Sequence, residues 1–494
     1  MIDEATVFLP VGELARLVRT KKISPVELAN AYLSRLERIG PQLNAVVTIT
    51  RDRALEEARA AEREIAAGRY RGPLHGIPYG VKDLLATRNI PTTWGAAPYR
   101  NQVFDYDSTV VARLQKAGGV LVAKLAMIEL AGGLGYNSPD ASFTGPCKTP
   151  WNTAYWSGGS SSGPGAATAA GLVAFAIGSE TSGSILNPSG SCGLSGLRPT
   201  YGRVSRHGAM ALSWTLDKLG PMCRAAHDCG LVLAAIAGRD PLDPTSASER
   251  FVYPAPVRGA GRKFRLGVPK GAADAGLPEV RANFAAALKA LEPFAEIAHD
   301  VELPASPMVT GPIIGAEGAA AFRDLILSGR TKELQNLNDR VGGDTAMMTL
   351  AVDYIDAMRA RRKLQDAWVP VWKRYDALIA PNGSVAPPIG EDFDRAFAGR
   401  GRAGGRPPGP PPGVSLVPTG NALGVPALAL MNGFGPHGLP TSMQVMGGPF
   451  SEARLVAIGR AYQKATDWHT KHPSMTERPA TAPAAEPVDF YERL

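Results

Sequence analysis

Cysteine is scarce in this chain: there are four, Cys147, Cys192, Cys223 and Cys229, among 494 residues. None stands in a C-x-x-C pair and none joins histidines at zinc spacing, so no structural metal is expected, and the thiols read as small buried hydrophobes. No run of 18 apolar residues occurs, which removes a membrane-spanning helix. The N-terminus, MIDEATVFLPVGEL, lacks a basic segment followed by an apolar one, so no secretory signal is expected. Excess charge is also small. Lys and Arg number 53 against 45 Asp and Glu, a formal +8, and they are scattered without a basic helix face. That distribution argues against a nucleic-acid surface. The expectation is a soluble, cytoplasmic globular chain with no nucleic-acid or membrane partner.

What is present is an α/β rhythm. The first 70 residues read as helices. Ser24-Pro25-Val26-Glu27 is a capping box with proline at the first helical position. It predicts a helix to Ile39, stopped by Gly40-Pro41, and a second helix over 51–67 ends before Gly68. From about residue 75 strands and helices alternate. A strand enters the turn in HGIPYGVKD, a helix covers 109–116, and buried strands cover 119–123 and 173–177. Further strands are expected at 264–268, 377–380, 427–431 and 442–446, and a closing helix at 451–466. The pattern predicts an α/β sheet with helices on both faces. The expected organisation is N-terminal helices over 1–70 packing on a core over 71–472. Within that core the Gly/Pro/Arg-rich stretch 397–413 cannot form a packed element, and reads as a passive loop or a lid. An irregular tail covers 473–494.

The unusual stretch is 156–202, WSGGSSSGPGAATAAGLVAFAIGSETSGSILNPSGSCGLSGLRPTYG. Two Ser/Gly clusters flank a small-residue helix and a buried strand. Small residues let backbone approach a ligand closely, and successive amides can converge on an anion. A phosphate cradle is disfavoured, because no lysine follows either cluster and neither carries the dinucleotide fingerprint. Ser160, in G-G-S-S-S, fails the nucleophile-elbow pattern at its last position, and no histidine or acid is placed to complete such a triad. A serine–lysine S-x-x-K pair is absent. A purely structural loop remains as the plain alternative.

Gly158-Gly159-Ser160-Ser161, then Glu180-Thr181-Ser182-Gly183-Ser184-Ile185, then Gly193-Leu194-Ser195-Gly196-Leu197-Arg198-Pro199-Thr200, resemble the amidase signature family. The upstream Gly76-Ile77-Pro78-Tyr79-Gly80-Val81-Lys82-Asp83 resembles the segment that supplies that family's lysine. The resemblance runs from the N-terminal helices to Gly438-Leu439-Pro440 and Gln444, nearly the whole chain. It implies a single α/β/α domain around a large mixed, twisted sheet.

The resemblance also implies a site. Ser184 would be the nucleophile, Ser160 a proton relay after a cis Gly159–Ser160 peptide, and Lys82 the base. A serine hydroxyl is a weak nucleophile and needs such a base. Lys82 must therefore be neutral, so its value must fall from near 10.4 to about 7, roughly 4 kcal/mol of differential interaction. Burial can do this. A carboxylate beside it would oppose the fall, so Asp83 is expected to face the other way along the strand. The N–H groups of Thr181, Ser182, Gly183 and Ser184 would form the oxyanion hole. Ala131 and Gly132 would line the acyl pocket. No cofactor and no metal are implied.

Leu186 stands where many members of the family carry arginine. Its absence points away from acidic substrates and toward uncharged amides, anilides or carbamates, in the manner of an aryl-acylamidase or urethanase, with esterase activity alongside. Phe143, Tyr136, Trp214 and the 312–314 segment are candidate pocket walls. The expected partners are a small-molecule amide or carbamate, with the chain a monomer or homodimer. The alternative is the glutaminase subunit of a tRNA-dependent amidotransferase, which works with partner subunits.

Overall fold

The computed structural model describes residues 2–135, 138–254, 263–307, 309–383, 385–390 and 416–475. The stretch 397–413, Tyr136 and most of the 473–494 tail lie outside the described residues. Among those described, one 11-stranded sheet runs in the order β1-β3-β2-β4-β6-β5-β10-β11-β9-β7-β8. The strands are β1 Val46–Ile49, β2 Pro78–Lys82, β3 Val120–Leu125, β4 Phe175–Glu180, β5 Ser195–Arg198 and β6 Lys218–Cys223. The rest are β7 Phe264–Pro269, β8 Ala295–Val301, β9 Ala377–Pro381, β10 Ala427–Phe434 and β11 Pro440–Met446. The sheet is mixed: β2 runs parallel to both β3 and β4, while β4 pairs with β6 antiparallel.

Both faces of the sheet are covered, as the expected α/β/α layering requires. Along β3, Leu121 joins one apolar cluster while Val120 and Val122 join another. Phe175 and Ile177 of β4 likewise part from Ala176. Alternate side chains of a strand point to opposite faces, so each face has its own packed layer.

The capping box is present. Ser24 Oγ accepts from the N–H groups of Val26 and Glu27, at 3.0 and 3.3 Å, and the Glu27 carboxylate accepts from Ser24 N–H. The helix does not stop at Gly40-Pro41 but runs over Pro25–Leu43, with Asn44 left-handed at its end. Proline in the last turn forfeits one bond, and the complete burial of Leu43 offsets that loss. The first 70 residues are not all helical: β1 lies there and pairs antiparallel with β3. The sequence pattern also leaves out β5, β6 and β8. β5 and β6 carry glycine or proline, which weaken a strand signal, and β8 is a polar edge.

Candidate active site

Lys82 is the last residue of β2, and it is wholly buried. Its Nζ donates to Ser160 Oγ at 2.7 Å and to Ser179 Oγ at 2.9 Å. Burial drives its value from 10.5 down to about 7, against the weaker pull of the Asp217 and Glu180 carboxylates. Asp83 faces away, as alternation along a strand requires. Its Oδ2 accepts from Thr93 N–H at 2.9 Å, and its Oδ1 lies 3.0 Å from Lys124 Nζ.

Ser160 sits in the turn before the helix Ser162–Ala169, and the Gly159–Ser160 peptide is cis. Gly158 before it has φ +78°, and a Cβ there would lie 2.9 Å from Pro188 Cα, so only glycine fits. Ser161 ties the turn to β4: its Oγ accepts from Ser179 N–H and donates to Ser179 O. Ser162 Oγ donates to Ala126 O. These two serines hold backbone in place.

Ser184 lies in the turn between β4 and the helix Leu186–Ser191, 9% exposed. Its carbonyl accepts from Ser161 N–H at 3.3 Å, which sets the two Ser/Gly turns side by side. Gly183 has φ +100°. Among the described residues, the N–H groups of Thr181, Ser182, Gly183 and Ser184 donate to no protein acceptor. Four amides without a protein acceptor in one tight turn are the donors an oxyanion hole would need.

Two carboxylates brace this turn. Glu180 accepts from Ile185 and Leu186 N–H, from Arg198 and from Asn421. Burial alone would raise its carboxyl, but Arg198 and Lys218 hold it below the usual range. Asp217 accepts from Thr181 Oγ1 at 2.6 Å and from Leu212 and Ser213 N–H, and burial raises its carboxyl.

Beside the turn lies a cavity of about 40 Å³, walled by Leu84, Ala131, Met210, Leu212, Trp214 and Leu219, with Ser179 and Thr181 at its polar side. Arg206 and Asp217 also border it. Neither is free: Arg206 stacks on Tyr201 and Trp214 and donates to Trp214 O and Thr245. Ala131 lines this cavity, while Gly132 follows it in the same turn with φ +87° and does not. Trp214 is a wall residue; Phe143 and the 312–314 segment are not. Much wider grooves occur elsewhere, such as the one over Arg53 and Glu57, but they bring no serine to a base.

Ser179 and Asp217 join the site, and Lys124 pairs with Asp83 behind it, without any motif that marks them in the sequence. Ser179 is the easiest of the three to place from the sequence, since it follows Ile177 by two on a strand and so shares its face. Asp217 and Lys124 come from segments whose approach only the sheet order reveals. Among the described residues no group of three or more His, Cys, Asp or Glu could hold a metal ion. Nor is any helix among them long and apolar enough to cross a membrane.

The Amidase family model matches residues 27–456. A curated relative from Methylococcus capsulatus, named as a glutamyl-tRNA(Gln) amidotransferase subunit, is 35% identical, with 94% of this chain and 98% of that one covered. The native peptide amidase of Stenotrophomonas maltophilia superposes with TM-score 0.78 at 30% identity, covering 93% of this chain and 97% of that one. A chain from a vestigial protein complex tied to the origins of an s-triazine catabolic enzyme superposes with TM-score 0.81 at 29% identity, covering 92% and 98%. These likenesses correct one expectation. A monomer or homodimer meeting only a small-molecule amide or carbamate does not fit relatives that are named as one subunit of an amidotransferase.

Proposed function

The chain belongs to the amidase (amidase signature) family, and on that premise we propose that it hydrolyses the C–N bond of a primary carboxamide as one subunit of a multi-subunit amidotransferase. The observation that carries the chemistry is the 2.7 Å contact from the buried, neutral-leaning Lys82 amine to Ser160. Neutral Lys82 takes the Ser160 proton as Ser160 takes that of Ser184, and Ser184 Oγ attacks the carbonyl carbon. The amides of Thr181 to Ser184 receive the oxyanion. On collapse, Ser160 returns the proton to the leaving nitrogen, ammonia departs, and water releases the acyl group from Ser184. Support for the subunit reading is the end-to-end likeness to chains named as amidotransferase subunits.

A second reading keeps the hydrolysis and changes the donor to an uncharged amide, anilide or carbamate. Its support is the apolar cavity, whose bordering charges, Arg206 and Asp217, are already engaged. The deciding experiment measures ammonia release from glutamine, and hydrolysis of neutral aryl amides, anilides and carbamates, by the chain alone and with candidate partner subunits. Glutaminase activity that requires the partner supports the subunit reading. Fast turnover of neutral amides by the chain alone, with glutamine untouched, overturns it.

A further inference from the structure

Lys82 must spend much of its time uncharged to act as a base, yet the next residue is a fully buried aspartate. The strand register resolves this conflict. Val81 of β2 pairs with Lys124 of β3, so the two side chains share a face, and Asp83, two residues beyond Val81, shares it as well. Lys82, the last residue of β2, is turned instead onto Ser160 and Ser179, which take its amine.

On the shared face the groups close on one another. Lys124 Nζ lies 3.0 Å from Asp83 Oδ1 and donates to Thr92 Oγ1 at 2.6 Å. Both side chains of the pair are 0% exposed. Among the described residues, Oδ1 takes no hydrogen bond from any other group, while Oδ2 is filled by Thr93. The carboxylate therefore has one counter-charge, and it comes from the neighbouring strand.

Resting on the Ser–Ser–Lys reading above, we propose that Lys124 is a positioning residue for the hydrolysis. It locks the Asp83 carboxylate into a closed, net-neutral pair behind β2, so that the amine of Lys82 in front of it can give up its proton. The other charges near Lys82 are Asp217 and Glu180. Those near the pair are Asp107 and Arg53, themselves joined at 2.9 Å. Of these only Arg53 is a cation, and it is committed to Asp107, so it does not replace Lys124.

A buried pair stripped of one member leaves an uncompensated charge. At an effective dielectric of about 20, an uncompensated unit charge within about 10 Å moves a neighbouring titration by about one pH unit. The two halves of the pair act with opposite sign. Lys124→Met removes the positive half of the pair and should move the Lys82 midpoint up by about one unit. Asp83→Asn removes the negative half and should move it down. The double variant, Asp83→Asn with Lys124→Met, should return it close to wild type.

The test reads Lys82 in two ways in the full chain. One is an NMR titration of labelled lysine, with the Lys82 signal assigned by its loss in Lys82→Met. The other is the acidic limb of kcat/KM for glutamine and for a neutral aryl amide. Opposed shifts in the single variants and recovery in the double support the proposal. Single variants that leave the midpoint fixed, or move it the same way, overturn it. Should Lys124→Met fail to fold, the double variant and Lys124→Arg carry the comparison, and Lys124→Arg should leave the midpoint in place. Opposed NMR shifts in a chain that hydrolyses no amide would leave the electrostatic pair standing and remove the hydrolase reading instead.

Discussion

Replacing Lys82 by methionine should destroy activity and stabilise the protein. Lys82 is ordinary lysine chemistry forced into a dry site, and its value falls from 10.5 to about 7 because burial disfavours the charged form. That displacement corresponds to about 5 kcal/mol. Between pH 7 and 10.5 the folded chain binds fewer protons at this position than the unfolded chain does. Stability therefore rises with pH across that window. The full penalty applies below about pH 7 and is gone above about 10.5. Methionine has similar length and carries no such penalty, but it forfeits the bonds to Ser160 and Ser179, each worth about 1 kcal/mol. The net gain near pH 6.5 is then about 3 kcal/mol. For a chain of this size that is a rise in melting temperature of roughly 3 °C. Differential scanning calorimetry at about pH 6.5 and about pH 10.5, with matched amide-hydrolysis assays, reads both effects. A variant that melts below wild type at the lower pH, or one whose advantage persists at the higher, refutes the reasoning.

Three further outcomes follow from the same geometry. Ser184→Ala should reduce amide hydrolysis by at least about 10³-fold while leaving the far-UV circular dichroism unchanged; retained turnover would show that another group attacks the carbonyl. Ser179→Ala removes one of the two acceptors on Lys82 Nζ and should cost roughly 3–10-fold in kcat with little change in KM; a KM effect alone would place Ser179 in substrate binding instead. Gly158→Ala forces a Cβ against Pro188 at φ +78°, and should lower stability by about 2 kcal/mol or more in urea unfolding; an unchanged midpoint would mean that the turn has room to give.

Much of the candidate site is legible without the fold, through a family resemblance that local motifs carry. Lys82, Ser160 and Ser184 sit in short motifs rich in glycine and serine, where backbone demands restrict the residue choice. The α/β class is legible because β2, β3 and β4 are fully buried strands that read as short apolar runs. What escapes is whatever depends on distant segments meeting. Asp217 reaches Thr181 only because β6 pairs with β4, and Lys124 reaches Asp83 only because β3 lies beside β2. A lysine inside the apolar run Val120–Leu125 is the one local hint of the latter, since a buried charge must find a partner. The assembly state is not legible at all, because nothing in a strand period or a turn motif records which surfaces are covered.

The strand order has a consequence for how the chain is made. β10 and β11 are synthesised after the other nine strands, yet they lie between β5 and β9 in the finished sheet. Until residue 446 has left the ribosome, two groups of strands that belong to one native sheet lack the strands that join them within it. β5 and β9 meanwhile present bare hydrogen-bonding edges, the kind that pair with foreign strands. A product ending before Ala427 is therefore expected to expose these edges, a hazard set by the topology rather than by any one residue.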